Sequence, residues 1–134
     1  MSDPVVFLDS SALTKLVIDE EESLALERRL TGAVLVGSAL LRPEVSRAVR
    51  RSVGSQRDHV LEAVLQLVAL VPLDAAVLSL AATVQPWSVR TLDALHLATA
   101  LSIAERPSAF IAYDDRLLKA ARQAGLAVEQ PGAG

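Results

Sequence analysis

The chain has 134 residues and a formal net charge of −3; 51% of its residues are hydrophobic and only 3% aromatic. That length suits one domain with one core. The absence of cysteine excludes disulfides and thiolate metal sites, and the acidic balance and scarcity of rings speak against a general nucleic-acid binder that stacks many bases. With two histidines an imidazole zinc site is poorly supplied, so any metal should be a hard cation held by oxygens. Apolar runs such as "VLQLVALVPL" are broken by Gln66 and Pro72, and the start "MSDPVV" lacks the basic and long apolar regions of a secretory leader. A cytoplasmic protein with no membrane association is expected.

Pro4 to Asp9 reads as a short buried strand, with Ser10 or Ser11 placed to cap the next element. "ALTKLVID" and "EESLALERRL" read as helices, the second with acids in its first turn and arginines in its last. "AVLVG" is a second strand. Ser38 then starts a helix through "ALLRPEVSRAVRRSV", with Pro43 near its beginning and Gly54 as its stop. The apolar spacing of "RDHVLEAVLQLVA" predicts another helix, followed by "LVPLD" as a short strand or turn. Asp74 can cap "AAVLSLAATV", and Thr91 can cap "LDALHLATALSIA". "AFIAYD" is a strand, "DRLLKAARQA" a helix ended by Gly125, and "LAVE" a last strand. Only "EQPGAG" reads as loose. Alternating strands and helices predict an α/β layer fold with a mostly parallel sheet, whose ligands collect beyond the carboxyl ends of the strands.

That rule draws attention to the acids. Asp9 and Asp114 end strands, Glu44 lies in the first turns of the helix after the second strand, and Asp93 lies in the first turn of its own helix. Each alone could be a cap or a complement to a helix dipole, worth under roughly 1 kcal/mol at the surface. Together they repel, by about 3 kcal/mol per pair at about 5 Å and an effective dielectric near 20. Such a rim should raise its pKa values or bind a cation.

At these residues the chain resembles the PIN-domain ribonucleases, and among them the VapC-type toxins of prokaryotic toxin–antitoxin pairs. The resemblance rests on "FLDSSAL", a solitary Glu44 on the third helix, "RTLDALHLATAL" and "AYDDRLLKAA", in order over essentially the whole chain. It implies a PIN-like three-layer α/β/α sandwich over residues 1–130, with a short flexible tail at 131–134. It also implies a metal-dependent endoribonuclease that leaves a 5′-phosphate and a 3′-hydroxyl. Asp9, Glu44, Asp93 and Asp114 fall on the family's acidic site, with Asp9, Asp93 and Asp114 as ligands of Mg²⁺ (or Mn²⁺ in its place). Ser11 matches a small polar residue supporting the first Asp, and Asp115 could share the role of Asp114. Where the family often has Thr or Ser two residues before the last Asp, this chain has Ala112, which removes a supporting hydrogen bond.

One or two such ions suit phosphodiester hydrolysis, and no covalent intermediate is required. His96, at i+3 from Asp93, reads as a packed helix residue and is left out of the catalytic set. Glu44, Arg47 and Arg51 share a helix face; the arginines could guide RNA phosphates, or form a solvated face with Arg47 paired to Glu44. Arg90 and Arg116 flank Asp93 and Asp114 and are further candidates for phosphate contact. The resemblance also implies a VapB-like antitoxin, through which alone DNA would be reached. The helices "ALTKLVID" and "SALLRPEVSRAV" carry apolar residues beyond a narrow core stripe, which could leave a groove for an amphipathic antitoxin segment. The same excess in the later helices suggests a homodimer. Two alternatives stay open: a PIN-like module that binds without cutting, and an Asp-based phosphatase or receiver domain. For the latter pair, Ser11 stands where a phosphatase wants a second Asp, and the acidic pair Asp114–Asp115 comes too late for a receiver.

Overall fold

The computed structural model describes residues 3–133. Its elements are β1 (Val5–Leu8), α1 (Ser10–Val17), α2 (Ser23–Leu30), β2 (Val34–Ser38), α3 (Leu41–Val53), α4 (Asp58–Gln66), β3 (Val68–Val71), α5 (Ala75–Ala81), α6 (Thr91–Ser102), β4 (Ala109–Ile111), α7 (Asp115–Gln123) and β5 (Val128–Glu129). The strands form one sheet in the order β3-β2-β1-β4-β5, every pairing parallel. The expected three-layer α/β/α sandwich is what forms. The tail read at 131–134 and the domain read at 1–130 each include residues outside those described, namely Gly134, and Met1 with Ser2.

The layers follow from the two-residue period of the strands. Val6 and Leu8 of β1 and Ala109 and Ile111 of β4 point into a core shared with α1–α4. Phe7 and Phe110 point the other way, stacked with centroids 5.4 Å apart, into a core shared with α6 and α7. Burial on both faces explains why these strands read as continuous apolar runs rather than alternating ones. No helix among the described residues is long and apolar enough to cross a membrane.

The sheet order places the site. From β1 the chain steps to β2 and β3 on one side, then returns past β1 to β4 and β5 on the other. The crevice of such a sheet opens between β1 and β4, where the winding direction reverses. Leu8 is paired with Ile111, so Asp9 and Asp114 leave neighbouring strands at the same edge.

Several local expectations change. Asp9, rather than Ser10 or Ser11, caps α1, its carboxylate accepting from Ala12 N–H. Ser38 is the fully buried last residue of β2; α3 begins at Leu41, and the Ser38 hydroxyl accepts from Leu40 N–H. Thr91 is the first residue of α6 rather than its cap, which is Arg90. The predicted helix 57–69 stops at Gln66, because Val68 to Val71 are drawn into a ladder with Leu35 to Ser38; pairing overrides helical periodicity there. Asp74 and Gly54 act as cap and stop as their positions predict, Gly54 taking φ +60.

Part of the apolar surface of α1 and α3, expected to flank a groove, is used in the core. The two helices pack on each other and turn Ala12, Leu13, Leu41 and Val45 into the core. Large exposed apolar side chains lie elsewhere, Leu78, Trp87 and Leu92 on or beside α5 and α6 among them. The end of the chain is also better fastened than its Gly/Pro content suggests. Glu129 pairs with Arg29, and the Pro131 carbonyl accepts from the Tyr113 hydroxyl at 2.7 Å.

Gly37 marks the tightest approach. A Cβ there would stand 3.1 Å from the Leu8 carbonyl oxygen and collide with the buried Leu41 side chain. Gly37→Ala is expected to destabilise the protein by about 1–3 kcal/mol, read as a lower urea midpoint with an unchanged slope.

Candidate active site

Asp9 emerges from β1 directly into the first turn of α1. Its carboxylate is 3% exposed and accepts from the Ser11 hydroxyl at 2.7 and 2.9 Å and from Ala12 N–H at 2.9 Å. The Ser11 oxygen in turn accepts from Tyr113 N–H at 2.9 Å, which ties the end of β1 to the end of β4. Burial pushes the Asp9 pKa up to about 6; the bonds from Ser11 and Ala12 oppose this, as does His96, while the Asp93 charge adds to it.

Glu44 sits in the first turn of α3, half-buried. Its Oε1 accepts from the Ser10 hydroxyl at 2.8 Å and lies 2.5 Å from His96 Nε2. Burial alone would raise its pKa, but the bond and charge from His96, helped by Ser10, hold it below the usual carboxylate range. His96 is 1% exposed, and among the described residues its Nδ1 is the buried side-chain polar atom left without a partner. Arg47, read as one partner for Glu44, makes no ion pair among the described residues; His96 occupies that role. His96 and Ser10 are the site residues the sequence reading missed. The available signal was the i, i+3 spacing of Asp93 and His96, which puts both on one face of α6.

Asp93 and Asp114 line one open hollow of about 370 Å³, with Asp115, Arg90 and Arg116. Asp93 makes no side-chain hydrogen bond with the described residues. Its pKa is raised by burial first, then by the Asp114 charge, with Glu44 adding and His96 and Arg90 opposing. Asp114 caps α7 through one oxygen, which accepts from Arg116 N–H at 2.8 Å and Leu117 N–H at 3.2 Å. The cap orients it, although Ala112 lies fully buried and offers no hydroxyl. Asp115 shares the hollow and meets Gln130 at 3.4 Å. Arg47 and Arg51 are exposed on α3 outside the hollow.

The acids therefore share a rim and feel one another, with Asp9, Glu44 and Asp114 each held by its own bonds and Asp93 free of them among the described residues. Among the described residues no three acidic or histidine side chains draw together into a ready-made metal site. The donor chemistry nonetheless fits a hard divalent cation. All donors are carboxylate oxygens, Asp93 is unbonded, and the charges of Asp114 and Glu44 add to burial in raising the Asp93 pKa, a balance that a cation would relieve.

Comparison with known proteins places these features. The PIN domain family matches residues 6–123. The chain is 43% identical to ribonuclease VapC46 of Mycobacterium tuberculosis (strain H37Rv), covering 94% of this chain and 97% of that one. It is 37% identical to ribonuclease VapC47 of M. tuberculosis (strain CDC 1551), covering 96% and 98%. Among solved structures, M. tuberculosis VapC20, a toxin that cleaves the sarcin–ricin loop, superposes with a TM-score of 0.74 at 16% identity, over 94% of this chain and 99% of that one. VapBC2 of Rickettsia felis, bound to a DNA fragment from its promoter, gives 0.72 at 14% identity, over 95% and 98%.

The Asp9 pKa has a consequence for stability. A carboxyl with a higher pKa folded than unfolded favours folding at low pH and loses that contribution as pH rises through its folded pKa. For Asp9 the window runs from 3.8 to about 6. Asp9→Asn keeps a capping oxygen and removes the buried charge. It should raise the stability of metal-free protein at pH 7 by on the order of 1–3 kcal/mol, with the gain vanishing at pH 4. Urea unfolding with chelator at both pH values checks this; an equal gain at both would detach it from the charge.

Proposed function

The chain belongs to the PIN domain family, among its VapC ribonucleases, and from that premise we propose that it cuts RNA at Asp9, Glu44, Asp93 and Asp114 as the toxin of a toxin–antitoxin pair. The observation that carries the reading is that Asp9 and Asp114 leave neighbouring strands at the reversal point of the sheet, with Asp93 in the same hollow as Asp114. A phosphatase or receiver reading finds no support in a family match over 6–123.

Asp9, Asp93 and Asp114 are the proposed cation ligands, and Glu44 completes the carboxylate set. A bound Mg²⁺, or Mn²⁺ in its place, supplies charge that polarises the phosphodiester and lowers the pKa of water. Ser11 fixes Asp9, and the cap of α7 fixes Asp114. His96 and Ser10 hold one Glu44 oxygen, leaving the other free of hydrogen bonds from the described residues. One carboxylate of the set would take the proton from the attacking water. Water attacks phosphorus in line and the bond to the 3′ oxygen breaks, leaving a 5′-phosphate and a 3′-hydroxyl. Arg90 and Arg116, exposed beside the acids, suit the flanking phosphates.

Cleavage should require Mg²⁺ or Mn²⁺ and stop with a chelator. Asp93→Asn should lower kcat at limiting metal by about 10²-fold or more while circular dichroism stays native. Full activity of that variant would remove Asp93 from the site.

A cytoplasmic toxin of this kind needs an inhibitor. Support for a VapB-like antitoxin comes from the VapC relatives and from the superposition on a VapBC complex. We place a homodimer contact on the exposed Leu78, Trp87 and Leu92. Co-expression with the small protein encoded beside it should restore growth and yield a co-purifying, weakly active complex. A chain that is harmless by itself would leave the nuclease and remove the toxin.

A further inference from the structure

Two open hollows join beside the acids. The first holds Asp93, Asp114 and Arg116; the second, of about 400 Å³, holds Arg116, Lys119, Gln123 and Pro86. Ser88, Val89 and Arg116 line both, so the two form one trough. One wall is α7, whose Arg116, Lys119 and Gln123 stand at i, i+3 and i+7 and share a face. The other is the loop over residues 86–89. Each hollow has the volume of a small-molecule site, which suits one nucleotide strand.

The charges are available. Lys15, Arg29, Arg42 and Arg50 are engaged in ion pairs, whereas Arg90, Arg116 and Lys119 make none among the described residues and are exposed. These unpaired cations lead out of the acidic hollow into the trough. Arg47 and Arg51, also exposed and unpaired among the described residues, lie on α3. That helix follows β2 on one side of β1 and packs in the α1–α4 layer; α7 follows β4 on the other side and packs in the opposite layer. The two basic faces therefore leave the acids in different directions.

We infer that the trough between α7 and residues 86–89 carries one flank of a single-stranded RNA away from the cut, its phosphates on Arg116 and Lys119 and its sugar and base edges against Pro86 and Val89. This rests on the nuclease reading, which requires a strand to leave the acids on both sides. It adds Lys119 as a binding residue, assigns the two flanks to different helices and specifies an unpaired strand. An acidic peptide is the weaker occupant, because it would bring carboxylates up to Asp93, Asp114 and Asp115.

The test is fluorescence anisotropy of a mixed-sequence single-stranded RNA of about 16 nucleotides, with chelated full-length protein so that nothing is cut. Lys119→Ala should raise Kd roughly three- to tenfold and reduce the magnitude of the salt slope by about 1. Lys119→Glu should do more. Arg28→Ala, an equal charge change in the last turn of α2, should match wild type, and a blunt duplex of the same sequence should bind more weakly than the single strand. An unchanged Kd and slope for Lys119→Ala overturns the inference, as does a duplex that binds equally well. Loss of poly-glutamate binding in Lys119→Glu with RNA binding intact also overturns it, in favour of an acidic protein partner. If the trough binds RNA through Lys119 but metal-supplied protein cuts no RNA, the inference stands and the nuclease reading falls.

Discussion

The Ser11 hydroxyl joins the two halves of the rim. Its proton goes to Asp9 and its lone pair receives Tyr113 N–H, so one side chain links the carboxyl ends of β1 and β4 across the reversal point of the sheet. Remove that bridge and the buried Asp9 charge loses its largest opposing contribution, while the turn before Asp114 loses its anchor. The paired strands bring the acids to one edge; this bridge sets their spacing. A serine two residues after a strand-end aspartate is thus a positional requirement rather than a helix cap.

Electrostatics at the rim are resolved in two ways. Asp9 and Asp93 keep a raised proton affinity chiefly because burial disfavours their charge, with neighbouring carboxylates adding to it. Glu44 is settled by the His96 imidazole and the Ser10 hydroxyl, which together outweigh its burial. A lysine in place of His96 would put a permanent positive charge among the carboxylates and compete with a cation.

Much of this was legible because caps and stops are local chemistry. Asp74, Gly54 and Gly125 end or begin elements where their residue types predict, and strand-end acids flagged the rim before any distance was known. The misread boundaries depend on distant partners. Val68 and Ala69 continue a helical pattern and become strand only because β2 offers a ladder. Ser38 has a cap's chemistry but completes a strand. His96 reads as packing because Ser10 and Glu44, its partners, come from α1 and α3, more than fifty residues away in the case of Glu44. The open spacing of the acids was equally invisible: repulsion between carboxylates predicts a cation or raised pKa values, whereas local bonds hold Asp9, Glu44 and Asp114 where they stand.

The chain has a single tryptophan, and it is 71% exposed in the loop that borders the trough. Its indole is already in water in the native state, so intrinsic emission should shift little on unfolding and would make an insensitive probe of denaturation. The same exposure makes it a sensitive probe of occupancy. A subunit covering the α5–α6 face, or a strand brushing the 86–89 loop, would blue-shift or quench the one indole, so binding could be followed without a label while folding is followed by far-ultraviolet dichroism.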